Sequence, residues 1–204
     1  MTELYTASGA VMHTNPFATR FTRPGALAFL FPPGQSAESL VAALAQAQWW
    51  GQIVGPHGSG KSTLLAALLP ELSRQGREVV HLVFRSDGPV AGSWPPAPGL
   101  WTSQTQLVVD GYEQLSWWNR RKLKSACRKA GAGLLLTAHQ PCGLTTLFQT
   151  KPSVELAEQI VRQLIPADDQ TITANDIREA CRQHPTNLRE VLFGLYDLYQ
   201  QRKS

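Results

Sequence analysis

The sequence is short of charge, of cysteine and of long apolar runs. Charged residues make up 17% of its 204 positions, too few to hold a chain unfolded by its own repulsion. The 43% that are hydrophobic supply a core. Only three cysteines are present, Cys127, Cys142 and Cys181. An odd number at wide spacing argues against a disulfide framework, and no pair has zinc-ligand spacing. Reduced thiols in a cytoplasmic protein are the expectation. The longest apolar-looking stretch, GALAFLFPPG at 25–34, is broken by prolines and too short to span a bilayer, so no membrane span is expected. The opening residues, MTELYTASGAVMHTNPF, have neither the basic start nor the apolar run of a secretory signal. A formal charge of +4 permits contact with nucleic acid or acidic partners without demanding it.

What the chain does have is alternation. Residues 1–24 are polar, without a sustained period, and read as an extended N-terminal segment. SAESLVAALAQAQ, 36–48, reads as a helix capped by Ser36, with Leu40, Val41, Leu44 and Ala45 on one face. WWGQIVG is a short buried strand. The helix after Lys61 is expected to end or kink at Pro70. REVVHLVF, QTQLVVD and GLLLTAH read as strands, and LTTLFQT as a short β-like piece. A long loop at 86–103, rich in proline, glycine and tryptophan, offers Trp94 and Trp101 to a protein partner. From Ser153 three helical stretches follow. Strands alternating with helices imply an α/β fold, three layers of αβα around a parallel sheet. The expected division is 1–24 extended, 25–152 α/β domain and 153–204 small all-helical lid.

Between the first strand and the helix lies Gly55-Pro56-His57-Gly58-Ser59-Gly60-Lys61-Ser62-Thr63. It fits G-x-x-x-x-G-K-[ST], the P-loop or Walker A pattern, in the strand-to-helix context that the pattern needs. Glycines let backbone N–H groups turn toward concentrated negative charge, and the helix that follows adds a positive end of roughly +0.5 elementary charge. The expected ligand is a nucleoside triphosphate. Lys61 reaches its β and γ phosphates, Ser62 completes the shell of a Mg²⁺ ion, and Thr63 touches the α phosphate by analogy.

LVVDGYEQL follows about fifty residues later. An apolar strand ending in an acid is the Walker B arrangement, in which Asp110 holds Mg²⁺ opposite Ser62. Gly111 stands where many ATPases carry the acid that polarises water. Glu113 is the nearest carboxylate, either that base or a solvated loop residue. LLLTAHQ ends a further strand with Thr137 and His139. Thr137 is the better candidate for the polar group beside the γ phosphate, and His139 is either such a group or a loop histidine.

HPTNLREVLFGLYDLY, 184–199, resembles the sensor-2 segment of AAA+ ATPases, and the order Walker A, Walker B, sensor 1, lid helices and sensor 2 covers roughly residues 50–201. NPF, 15–17, resembles the stretch before the P-loop in AAA-type ATPases of secretion and transposition systems. The resemblance, which extends to replication-initiator-like groups, implies ATP and Mg²⁺ as cofactors, Arg189 as the sensor arginine, Thr137 as the sensor-1 residue and a lid that follows nucleotide state. ATP over GTP comes from this resemblance. Between His139 and Pro152 there is no arginine, so the arginine-finger position is empty. That points away from a motor ring and toward a monomeric or partner-activated, slow ATPase. A non-hydrolysing nucleotide-gated binding module and a small-molecule kinase are the alternatives.

WWNRRKLKSACRKAG carries Arg120, Arg121, Lys122, Lys124, Arg128 and Lys129. Such a cluster attracts phosphates, and Trp117 and Trp118 suit base stacking. The competing expectation is that one tryptophan packs on the sheet with Leu123 and Cys127, leaving the cations as a solvated face.

Overall fold

The computed structural model of the chain describes residues 15–84 and 98–203. Trp94 and most of the proline-rich loop lie outside them. The described residues form, in order, α1 (Thr19–Thr22), α2 (Ala37–Gln46), β1 (Trp50–Val54), α3 (Lys61–Arg74), β2 (Glu78–Val83), β3 (Thr105–Asp110), α4 (Trp117–Ala130), β4 (Gly133–Ala138), β5 (Thr145–Gln149), α5 (Val154–Leu164), α6 (Ala174–Gln183) and α7 (Leu188–Lys203). Short 3-10 turns lie at Pro98–Leu100 and Tyr112–Gln114. Among these residues no helix is long and apolar enough to cross a membrane.

The chain divides into two compact units, Ala28–Lys151 and Met1–Leu27 with Pro152–Ser204. The first is α/β. Its five strands are all parallel, in the order β2-β3-β4-β1-β5. A parallel sheet is covered on both faces, so its central strands are continuous apolar runs whose alternate residues serve different cores. Leu107, Val109, Leu134 and Leu136 join Leu123 and Cys127 of α4 in one core. Val108, Leu135 and Ile53 join Leu40, Val41 and Leu44 of α2 and Leu64, Leu65, Leu68 and Leu72 of α3 in the other. The architecture is therefore α/β and compatible with three αβα layers.

Local expectation and structure part company at Pro70. It lies inside a continuous helix, Lys61–Arg74. Leu68 and Leu72 straddle it, at 1% and 0% exposure, and burying each is worth roughly 2 kcal/mol. Proline in a helix interior costs about 3 kcal/mol, so the apolar stripe carries the helix through. Ser36 caps α2 as the sequence suggests, and the capping box is closed by Ser39, whose hydroxyl accepts from the Ser36 N–H at 2.9 Å. Gly131, in the left-handed region, ends α4.

The second unit is helical. Within it Phe17 is fully buried, its ring 5.9 Å from that of Tyr199 in α7. Asn15 donates to the Tyr196 carbonyl at 2.9 Å and accepts from the Phe17 N–H at 3.0 Å. The segment expected to be extended is thus anchored at Asn15 and Phe17 and includes a helical turn, α1. Its buried asparagine and phenylalanine explain why: one anchors by hydrogen bonds, the other by area. Around α6 and α7, Arg202 donates to both carboxylate oxygens of Asp176, at 2.6 and 2.9 Å, and Tyr199 donates to Asp169 at 2.8 Å. The Arg202 bond holds the Asp176 carboxyl well below its usual range. Burial works against ionising Asp169, but hydrogen bonds led by those from Thr171 bring it down to about 2.

Candidate functional site

Parallel strands direct their carboxyl ends to one edge of the sheet, and ligands of open α/β sheets bind there, where the strand order reverses. Here β1 lies between β4 and β5, while the chain leaving β1 crosses to β2 at the far edge. The glycine loop leaves β1 at that reversal. Gly58 and Gly60 have φ of 69° and 98°, and Gly60 is the N-cap of α3. These left-handed turns aim the backbone into the first turn of α3, which begins at Lys61 and contains Ser62 and Thr63. A side chain at Gly55 would overlap the Thr150 hydroxyl. Glycine is therefore required there by the close approach of the residue that follows β5.

The loop is internally bonded. The Lys61 ammonium, in a residue 8% exposed, donates to the carbonyls of Gly55 and Pro56, each at 2.7 Å. The Ser59 hydroxyl bonds the Pro56 carbonyl at 2.7 Å and the Thr150 hydroxyl at 2.6 Å. The Lys61 ammonium is thus turned back onto carbonyls of its own loop. Pro56 and His57 line a cavity of about 700 Å³ with Val54, Gly55, His139 and Gln149 among its walls.

Across the sheet, register brings the acidic element beside Thr137. Val109 pairs with Leu136 and Ile53 with Thr137, so Ile53, Thr137 and Asp110 form one row. Alternation puts Asp110 on the face of Val108, the face covered by α3. Asp110 and Ser62 thus belong to the same side of the sheet. The buried Thr137 hydroxyl donates to Asp110 Oδ1 at 2.7 Å and accepts from the Gly111 N–H at 2.9 Å. Both its roles are spent on fixing the end of β3, so Thr137 positions Asp110.

Gly111 has φ of 82°, and a Cβ there would strike the Phe84 carbonyl oxygen. No carboxylate can occupy this place without moving backbone. The chain instead makes a 3-10 turn at Tyr112–Gln114, and Glu113 Oε1 lies 3.1 Å from His139 Nε2. Glu113 Oε2 is shielded from solvent and has no hydrogen-bond partner among the described residues. His139 is in turn 6.0 Å, ring to ring, from His57 of the glycine loop. Arg120 of α4 donates to the carbonyls of Glu113 and Leu115 at 2.7 and 2.8 Å, which pins the turn.

Sequence reasoning missed Thr150 and Gln52. Gln52, buried in β1, bonds Thr146 at 2.9 Å and accepts from the Cys142 N–H at 2.7 Å, holding the loop after β4. A buried polar residue inside an apolar strand was the available signal. Arg189 is exposed in the first turn of α7 and belongs to the helical unit. Trp117 and Trp118 do not pack on the sheet: they are 61% and 68% exposed, and Leu123 and Cys127, with Ala126 and Ala130 beside them, fill that interface. Burial pushes the Cys127 thiol up to about 12 and those of Cys142 and Cys181 upward as well, so none is a ready thiolate.

Neither a model of a known protein family nor a curated protein matches the chain.

Among the described residues no group of three or more His, Cys, Asp and Glu is arranged to hold a metal. One hydroxyl and one carboxylate, Ser62 and Asp110, are a sparse oxygen set. That chemistry fits Mg²⁺, which keeps several waters and takes phosphate oxygens as ligands, and does not fit zinc.

Proposed function

We propose that the chain is a P-loop nucleotide-binding protein of the AAA+ type, an ATPase that uses ATP and Mg²⁺ in the cytoplasm and hydrolyses slowly unless a partner activates it. The observation that carries this reading is the left-handed glycine turn that ends on Lys61 at the start of α3, on the same sheet face as Asp110. In this reading the N–H groups of Gly58–Thr63 receive the phosphates, and Lys61 exchanges the Gly55 and Pro56 carbonyls for phosphate oxygens. Thr137 holds Asp110 in place opposite Ser62. Ser62 and Asp110 would hold Mg²⁺, which would supply neutralisation of phosphate charge. Glu113 polarises the attacking water through Oε2, while His139 holds Oε1. Arg189 is the residue through which nucleotide state reaches the helical unit.

Titration with a fluorescent ATP analogue and Mg²⁺ tests the reading. Lys61→Ala is expected to lose at least tenfold in affinity, since one charge-assisted contact is worth about 1.5–3 kcal/mol. Arg189→Ala is expected to keep affinity and to lose the nucleotide-dependent protection of α7 in hydrogen exchange. Equal affinity in wild type and Lys61→Ala sinks the proposal.

A second reading, a nucleotide-gated module that does not hydrolyse, is favoured by Gly111, whose backbone excludes an acid next to Asp110. Single-turnover phosphate release separates the two: release that depends on Glu113 belongs to an ATPase.

A further inference from the structure

The exposed face of α4 has no role in the site described above. The helix, WWNRRKLKSACRKA, contains no acidic residue. Three of its six cations are tied to other elements of the fold. Arg120 bonds two carbonyls, Lys124 donates to the Cys142 carbonyl at 3.1 Å, and Arg128 lies 5.3 Å from the Trp50 ring. The others, Arg121, Lys122 and Lys129, are exposed. Trp118, Lys122, Ser125 and Lys129 follow one another at spacings of four, three and four, so they form one stripe along the helix. At 1.5 Å per residue it runs about 16 Å. At its head stand the two tryptophans, with ring centroids 4.6 Å apart and planes at 80°. The Arg121 guanidinium lies 5.7 Å from the Trp117 ring.

Two large aromatic rings held in solvent beside cations that have no acidic partner among the described residues combine a flat apolar surface with an attraction for polyanions. Of the remaining apolar residues of α4, Leu123 and Cys127 are buried against the sheet and Ala126 and Ala130 are small and half-buried, so beyond the two tryptophans the helix offers no bulky hydrocarbon to insert among lipids. It has ring faces on which bases can stack and cations spaced along a strand. We propose that this face of α4 docks single-stranded nucleic acid, with bases on Trp117 and Trp118 and phosphates on Arg121, Lys122 and Lys129. A single strand is favoured over a duplex because stacking on a side chain needs bases free of their own neighbours. This docking does not depend on the nucleotide reading above.

The test is fluorescence anisotropy of a labelled dT20 oligonucleotide titrated with the full chain. Three phosphate contacts predict that log K falls with log salt at a slope of about −2. Trp117→Ala/Trp118→Ala is expected to weaken binding roughly tenfold or more, since each stacked base contributes substantially. Arg121→Glu/Lys122→Glu is expected to weaken it further and to flatten the salt slope. Both pairs are exposed, and unchanged circular dichroism and melting confirm that each variant is folded. Equal binding of a 20-base-pair duplex and dT20 overturns the proposal, as does undiminished binding by the double-alanine variant. So does tighter association with phosphatidylserine vesicles than with dT20.

Discussion

Replacing Gly111 by glutamate supplies the carboxylate that many ATPases carry next to the Walker B acid, and it is expected to damage the protein instead of activating it. At φ of 82° the backbone is left-handed, which costs a residue with a side chain roughly 1–2 kcal/mol. The new Cβ also strikes the Phe84 carbonyl, part of a strand end held by the Phe84 N–H bonding the Asp110 carbonyl at 2.8 Å. Backbone shifts forced by overpacking cost a further 1–3 kcal/mol, approximately. The sum is about 3 kcal/mol, or a fall in Tm of roughly 10 °C for a chain of this size. Urea denaturation followed by near-ultraviolet circular dichroism measures it. Gly99→Ala is the control, because a Cβ at Gly99 meets nothing within 4 Å and its φ is ordinary; it should stay within about 0.5 kcal/mol of wild type. A Gly111→Glu protein as stable as wild type, or one with faster phosphate release, would refute the reasoning that backbone geometry moved the acid to Glu113.

Thr137→Val keeps the shape of the side chain and removes a hydroxyl that serves both Asp110 and the Gly111 N–H. It should cost roughly 1–3 kcal/mol of stability and lower turnover more than ATP affinity, measured by denaturation and steady-state kinetics. In the helical unit, Asp169 and Asp176 have carboxyls depressed below their unfolded values. Their stabilisation is present above about pH 4 and is lost as pH falls through the folded values, for Asp169 about 2. Hydrogen exchange of α6 and α7 between pH 5 and pH 2 should therefore show protection declining below pH 4, with Arg202→Met less protected at pH 5 and less dependent on pH, because Asp176 then loses the main cause of its depression. Protection that is flat across this range speaks against the two ion-paired carboxylates.

Patterns that repeat within one element were legible in the sequence. The apolar runs of β3 and β4 announce a sheet covered on both faces, and the strand, glycine loop and helix follow one another as read. The misreadings occurred where a distant partner decides. Pro70 breaks helices when only neighbours count, but α3 is held by leucines that face the sheet on either side of it. Trp117 and Trp118 suggest a core by composition, yet the interface is already filled by Leu123 and Cys127. Gly111 looked like a missing carboxylate; its left-handed turn against the Phe84 carbonyl makes it a requirement of the chain path. Thr150 carries no local signal at all, since its contact with Ser59 exists only because β5 adds to the sheet beside β1.

That last contact has a mechanical consequence. Thr150 is the second-last residue of the α/β unit, and the peptide after Lys151 opens the helical one. The bond between the Ser59 and Thr150 hydroxyls thus clamps the exit of the chain from the α/β unit to the glycine loop.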